Sequence, residues 1–226
     1  MSDDVKTFRT YRSPQRTEQA AATRRAVLEA ARHLFVTNGY AATTVTRIAK
    51  EAGVNVDTLY AAVGRKPAIL REVVETAISG RDRAVPAAER DYVRAVRAAP
   101  TAGEKIEIYA AAFGLMAPRI APIFAALRDA ASADPQCAEL HSEITRRRAD
   151  NMRLFAADLR ATGSLRPDLT DGQVGDIVWS MNATEFYGLL VDQRGWTPAQ
   201  FTEFLADAWR RLLLVEPAAG CPSVHD

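Results

Sequence analysis

The run Ile48-Ala49-Lys50-Glu51-Ala52-Gly53-Val54-Asn55-Val56-Asp57-Thr58-Leu59-Tyr60 decides how this chain is read. Its first half carries an apolar helical face through Ile48, Ala49 and Ala52. A glycine, a valine and a capping asparagine follow, and a second short helix is expected from there. Two helices that cross steeply over a three- to four-residue turn make three demands. They need a small residue where the backbones touch, which Ala49 supplies. They need a residue that tolerates positive φ in the turn, which Gly53 supplies. They need apolar plugs beneath the turn, which Ile48, Val54 and Leu59 supply. The second helix can then lie in a major groove with its N-terminal side chains against base edges. The same spacing also suits an ordinary helical hairpin inside an all-α core, so this run alone leaves both readings open.

The flanks favour nucleic acid. Thr43 and Thr44 open the supporting helix, where hydroxyls and free N–H groups can meet a phosphate. Arg47 projects from its first turn, Tyr60 lies one turn into the next helix, and Lys66 stands at the start of the helix after that. Charge is distributed in the same sense. Residues 1–80 carry 12 Lys/Arg against 8 Asp/Glu, and residues 81–226 carry 17 against 20. A basic first third on an acidic remainder suits a polyanion at one end only.

Outward from there the chain reads as helical throughout, with period-two β-branched runs nearly absent. The first helix is expected from about Thr23 to Asn38-Gly39, with Val27, Ala31, Leu34 and Phe35 on one face. The second runs from Thr43-Thr44 to Gly53, the third from Asn55 to Val63, and the fourth from Pro67 to about Gly80. Pro86, Pro100 and Gly103 bracket a short helix from Ala87 to Ala98. A long helix follows from Pro135 to Ala161, with Cys137, Leu140, Ile144, Asn151 and Phe155 on one side. Another is expected from Asp171 to Asp192. The last starts at Pro198, with Thr197 as its N-cap. The tail from Pro217 to Asp226 reads as frayed.

Composition bounds the function. Of 226 residues 48% are hydrophobic and 25% charged, an ordinary globular balance. Two cysteines, Cys137 and Cys221, exclude a disulfide scaffold and a multi-cysteine zinc site. Charge-free stretches fall short of the ~18 residues of a membrane helix, and the first residues lack the apolar core of a secretory signal. A cytoplasmic protein without membrane contact is expected. No glycine-rich phosphate loop, His-Glu-x-x-His or nucleophile motif is present, and His33, His141 and His225 are scattered. Neither metal, cofactor nor catalysis is therefore expected. His33 reads as a surface or satisfied group, and His141 as a surface group with a place in a cavity wall as its other reading. Arg146-Arg147-Arg148 reads as a solvated helix face, with effector or DNA contact as the other option.

The stretch from Ala26 to Leu70 resembles the DNA-binding domain of TetR-family transcriptional regulators. The resemblance rests on Ala30-Ala31, Leu34-Phe35, Gly39-Tyr40, Thr43-Thr44-Val45, Ile48-Ala49, Ala52-Gly53-Val54, Thr58-Leu59-Tyr60, Gly64 and Lys66. It implies an all-α homodimer: a three-helix head on an operator in double-stranded DNA, and a larger helical domain that binds a small effector and releases the DNA. The positions matching the DNA-contacting motif are Thr44, Arg47, Asn55, Val56, Asp57, Thr58, Tyr60 and Lys66. The chain departs from the family at Ala61, Ala62 and Val63, where an aromatic, a histidine and a phenylalanine often stand, and a phosphate-contacting aromatic is lost. Asp57 can accept from a cytosine amino group or place negative charge at a helix N-terminus; the second reading is favoured. Lys6, Arg9, Arg12 and Arg16 form a basic arm that either contacts DNA or is a solvated tail.

The expectation is thus a ligand-responsive DNA-binding repressor, with residues 1–65 as head and 66–226 as effector and dimer domain. The opposing classes are an all-α enzyme and an adaptor that uses the helix-turn-helix only for packing. Salt-sensitive, sequence-dependent DNA binding separates the regulator from both. Two wide apolar faces are expected at a four-helix dimer interface: Trp179, Ala183, Phe186 and Leu190 on one helix, and Phe201, Leu205, Trp209 and Leu212 on the other. Their other reading is internal core. The effector pocket is expected between the helix bearing Trp179, Asn182 and Glu185 and those bearing Tyr109, Phe113, Met116, Phe124, Met152 and Phe155. On one continuous helix Asn182 and Glu185 interrupt an apolar stripe. A buried Glu185 needs a partner: Arg128, Arg148 or Arg153, or a hydrophobic ligand bearing a donor or positive charge.

Overall fold

In the computed structural model, which describes residues 14–215, the deciding run folds into two short helices at the end of a much longer one. Helix α1 (Pro14–Ala42) is interrupted at Gly39, whose φ of 77° only glycine adopts cheaply. Helix α2 (Val45–Glu51) is capped by Thr44, which accepts from the Arg47 amide, and α3 (Val56–Ala62) by Asn55, which accepts from the Thr58 amide. Gly53 turns between them at φ 68°. Ile48, Ala49 and Leu59 are buried against Val27, Ala31, Leu34 and Phe35 of α1. Helix α1 begins nine residues before Thr23. Its first turns are exposed, so alanine-rich propensity rather than burial extends it. Lys6, Arg9, Arg12 and the tail from Pro217 lie outside the described residues, and Arg16 stands exposed on α1.

The rest of the described chain is also helical. It comprises α4 (Lys66–Ser79), a 3-10 turn (Ala87–Glu89), α5 (Asp91–Ala98), α6 (Ala102–Ala131), α7 (Pro135–Arg160), α8 (Asp171–Met181), α9 (Thr184–Leu190) and α10 (Pro198–Leu213). Two expected helices are split. Arg90 takes an extended conformation between the 3-10 turn and α5. Asn182 caps the end of α8 and the extended Ala183 opens α9, so Asp171–Asp192 is not one helix. Thr197 caps α10, and Gln200 returns the bond to the Thr197 amide.

Helix α6 is the centre of the molecule. It packs on α1, α4, α5, α7, α9 and α10. It is long and apolar enough to cross a membrane, with a mean hydropathy of 1.6 over its best window, although no charge-free stretch of that length exists. Most of that window is buried inside the molecule, so packing accounts for the apolarity. Pro118 and Pro122 each remove a backbone donor within the helix. Contacts from several sides hold it together. Lys105 is buried near its start. Its ammonium donates to the Val96 and Arg97 carbonyls at 2.8 and 3.2 Å and pairs with Asp158 at 3.1 Å. One cation thereby satisfies the end of α5 and ties it to α7.

The head is joined to this body through α1, α4 and the start of α7. The Tyr40 hydroxyl donates to Asp134 Oδ2 at 2.9 Å, and Asp134 Oδ1 caps α7. Lys66 Nζ lies 3.9 Å from the centre of the Tyr40 ring. The bond from Tyr40 holds the Asp134 carboxyl below its usual range, with the amides of Gln136 and Cys137 adding to it. Arg71 and Arg147 tie α4 to α7 through Glu143 and Glu75, at 2.8 and 2.7 Å.

Two outcomes are expected. A Cβ at Gly114 would collide with Thr202 Oγ1 and lie 3.1 and 3.3 Å from Thr202 Cβ and Cγ2, where α6 and α10 cross. Gly114→Ala should therefore lower stability by about 1–3 kcal/mol. Adding Thr202→Ala should recover much of that loss in chemical denaturation. Tyr40→Phe should cost about 0.5–1 kcal/mol near neutral pH, since the pair is partly open to water. An Asp134 pKa lowered by folding stabilises above the unfolded value of about 4 and is lost as pH falls through the lower folded value. The difference between parent and Tyr40→Phe should close over that acid range.

Candidate DNA-binding head and internal cavity

The structure gathers the eight candidate DNA-contacting residues on α2, α3 and the start of α4. Thr44, Arg47, Asn55, Asp57 and Tyr60 are exposed, while Val56, Thr58 and Lys66 are half-buried. Val56 packs partly onto the core. Thr44 and Asn55 spend their side-chain oxygens on caps, and the Arg47 guanidinium donates to the Ala42 carbonyl at 3.3 Å. Lys66 is partly desolvated over Tyr40, which lowers its pKa. Thr43 differs from the sequence reading. It is fully buried, and its hydroxyl is engaged with the Leu34 and Gly39 carbonyls at 3.1 and 2.8 Å, so it holds the α1–α2 corner and offers nothing to a phosphate. His33 is a surface group paired with Glu51 at 2.6 Å.

The body holds a cavity of about 490 Å³, partly open to solvent, between the end of α4, α5, α6 and α7, with Asn182 and Thr184 at one side. That is within the usual range for a small-molecule site. Tyr109, Phe113, Met116 and Phe124 line it from α6, and Met152 and Phe155 from α7. Asn182 lines it as well and is 3% exposed. Its amide nitrogen donates to the Tyr109 hydroxyl at 2.7 Å and approaches Met152 Sδ at 3.1 Å. Burial raises the Tyr109 pKa, so the phenol stays neutral. Tyr109 stacks on Trp209 at 5.6 Å and packs on Phe155 at 4.9 Å, which fixes the aromatic floor.

Trp179 and Glu185 are not in the lining. The break at Asn182–Ala183 removes the continuous face on which they were placed. Glu185 is half exposed and bonds to Arg128 at 2.7 Å, one of the three arginines expected for it. Burial works to raise its pKa, but its own backbone amide and Arg128 outweigh that and the pKa falls. Trp179 lies outside the cavity as the support for Arg148, whose guanidinium carbon is 4.4 Å from the ring centre.

The arginine run also differs from its sequence reading. Arg146 is exposed, but Arg147 and Arg148 line the cavity. Consecutive residues on a helix point about 100° apart, so a run of three cannot share one environment. His141 is half-buried and outside the lining. Phe201, Leu205 and Trp209, expected at a dimer interface, are fully buried within the protomer. The exposed apolar residues nearby are Leu189, Phe204 and Leu212, at 50, 38 and 42%.

Comparison with known proteins adds the following. Residues 27–73 match the family profile of bacterial regulatory proteins, tetR family. No curated protein matches the chain. Solved structures share its fold across most of its length. NalD, the secondary repressor of the MexAB-OprM multidrug efflux pump in Pseudomonas aeruginosa, is 18% identical with a TM-score of 0.68, covering 88% of this chain and 98% of that one. The transcriptional regulator FadR from Bacillus subtilis, solved with stearoyl-CoA, is 18% identical with a TM-score of 0.66, covering 82 and 96%. A candidate transcriptional regulator from Saccharomonospora viridis, solved with choline, is 16% identical with a TM-score of 0.64, covering 85 and 98%. The profile match spans the whole helix-turn-helix, so residues 27–73 form a DNA-binding head of the tetR-family type, carried on an all-helical body that shares the fold of these solved structures.

Proposed function

We propose that this protein is a ligand-responsive repressor that binds operator DNA as a homodimer and is released by a small, largely hydrophobic molecule held in the body. One observation carries the reading: the cavity is built on the helices that hold the head. Arg147 lines the cavity and pairs with Glu75 of α4, and α7 begins at the Asp134 that receives the Tyr40 bond. A molecule that displaces α6 or α7 therefore acts on the posture of α1 and α4. Fold-sharing regulators solved with stearoyl-CoA and with choline support a small-molecule site in such a body.

In this reading Thr44, Arg47, Tyr60 and Lys66 meet phosphates, and Asn55 to Thr58 choose the sequence. Leu189, Phe204 and Leu212 replace the buried residues as the dimer surface. Phe186 and Trp196 extend that patch, packing on Phe204 at 6.4 and 5.4 Å. The protein works in the cytoplasm, where its DNA lies, and turns over no substrate. Turnover of a small molecule would replace this reading with an enzymatic one.

Genomic fragments selected by the purified protein should share one motif with two half-sites. Lys66→Ala should weaken binding to every duplex about equally and lower the salt slope by about 1. Thr58→Ala should instead change base preference. A Lys66→Ala variant with unaltered affinity and salt slope would overturn this docking. In sedimentation at micromolar concentration the parent should be a dimer. Phe204→Glu should shift it toward monomer, and a parent that sediments as a monomer would refute the dimer.

A further inference from the structure

We propose that the cavity selects amphipathic anions: molecules with an apolar body and a carboxylate or similarly compact oxyanion head, received by Arg148. This rests on reading the cavity as the effector site. It reverses the charge expected from Glu185, which lies outside.

The charges that line the cavity are four arginines, Arg90, Arg97, Arg147 and Arg148, and one carboxylate, Asp158. Asp158 is engaged by Lys105. Arg147 is engaged by Glu75 and Glu143, and Arg90 donates to the Val85 carbonyl at 3.2 Å. Arg97 is exposed. Arg148 differs from these. No carboxylate among the described residues lies within ion-pair distance of it. One terminal nitrogen donates to the Trp179 carbonyl at 2.6 Å, and the Trp179 ring supports the guanidinium face. Its Nε is buried with no hydrogen-bond partner. Burial disfavours its charge, as the direction of its pKa shows. The guanidinium is half-buried and Glu185 acts on it only from beyond ion-pair distance, so part of its desolvation cost stands uncompensated and an anion relieves it.

A second buried polar atom without a partner lines the same cavity. Asn182 Oδ1 has no hydrogen bond, although the rest of the amide is held by Tyr109 and Met152. Turning the amide over lets Oδ1 accept from the Tyr109 hydroxyl and frees two N–H donors. The Arg148 Nε–H and the Asn182 amide lie just beneath the cavity wall, so a carboxylate is met by both once these two side chains shift toward it. A neutral alcohol uses less of that set, and an ammonium head meets an excess of positive charge. Tyr109, Phe113, Met116, Phe124 and Phe155 supply the apolar floor for the rest of the molecule. Buried polar atoms at this density are rarely left open unless something else completes them.

The test uses the full-length protein and two matched series of probes: decanoate, 1-decanol and decylammonium, and 1-naphthaleneacetate with its alcohol and amine counterparts. Affinity is measured by isothermal titration calorimetry on the unaltered protein. In at least one series the carboxylate should bind about tenfold or more tightly than its alcohol, the order expected of a charge-assisted hydrogen bond. The amine should bind weakest. Arg148→Gln should bring the carboxylate within about twofold of the alcohol and leave the alcohol unchanged, and Arg148→Lys should keep part of the preference. The ranking in the parent protein stands as a test even if the variants fail to fold. An alcohol or amine that binds as tightly as its carboxylate in both series overturns the anion assignment and leaves the effector reading intact. Failure of all six probes at millimolar concentration overturns both. Carboxylate binding that leaves operator affinity unchanged supports the anion site and overturns the release mechanism.

Discussion

Helix α6 is shared between two jobs, and the remaining elements are arranged around that constraint. Gly114 lets α10 approach closely, at Thr202. Tyr109, Phe113 and Phe124 of the same helix line the cavity, and Tyr109 and Phe113 also pack on Trp209 and Phe201 of α10. A helix buried on most of its faces cannot shift for one neighbour alone. A molecule admitted against the aromatic side is therefore felt by α1 and α4, which hold the DNA-binding head.

Buried charge is handled in two ways within a short distance on this helix and its neighbour. Lys105 has three partners, two carbonyls at the end of α5 and Asp158, and so makes a rigid corner. Arg148 has one carbonyl and a ring face, and Asn182 has one end of its amide without a partner. A fully partnered polar group specifies structure, whereas a partly partnered one carries a desolvation cost that a ligand can offset. The completed corner and the incomplete pair lie on the same cavity, so its walls are fixed where Asp158 stands and receptive where Arg148 stands.

The helix-turn-helix was legible because its determinants lie within a few positions of each other. Gly53 turns and Asn55 caps within the run itself, and Leu59 announces itself as the plug by its spacing although the residues it closes against lie on α1. Thr43 shows the limit even there. Its hydroxyl was free to meet a phosphate as far as the local pattern told, but its acceptor at Leu34 sits nine residues back across the Gly39 kink. The aromatic and methionine residues of α6 and α7 were also legible as a group, since apolar residues at helical spacing must face something.

Sequence alone determined the all-helical class, the deciding turn and the basic head, because propensity, capping and i, i+4 spacing act locally. Tertiary structure decided which polar and aromatic groups of the body are buried and with what partner. No glycine or proline marks the break at Asn182–Ala183, so Glu185 was placed inside when it lies outside. Nothing in Arg146-Arg147-Arg148 says that the third faces a cavity. Phe201, Leu205 and Trp209 read as interface, with core as the other reading, until α6 covered them. The contacts that settle these questions join positions far apart in the chain, Asn182 with Tyr109 and Arg148 with Trp179, 73 and 31 residues away. Only packing that brings distant helices together creates the low-dielectric surroundings in which a guanidinium short of partners matters.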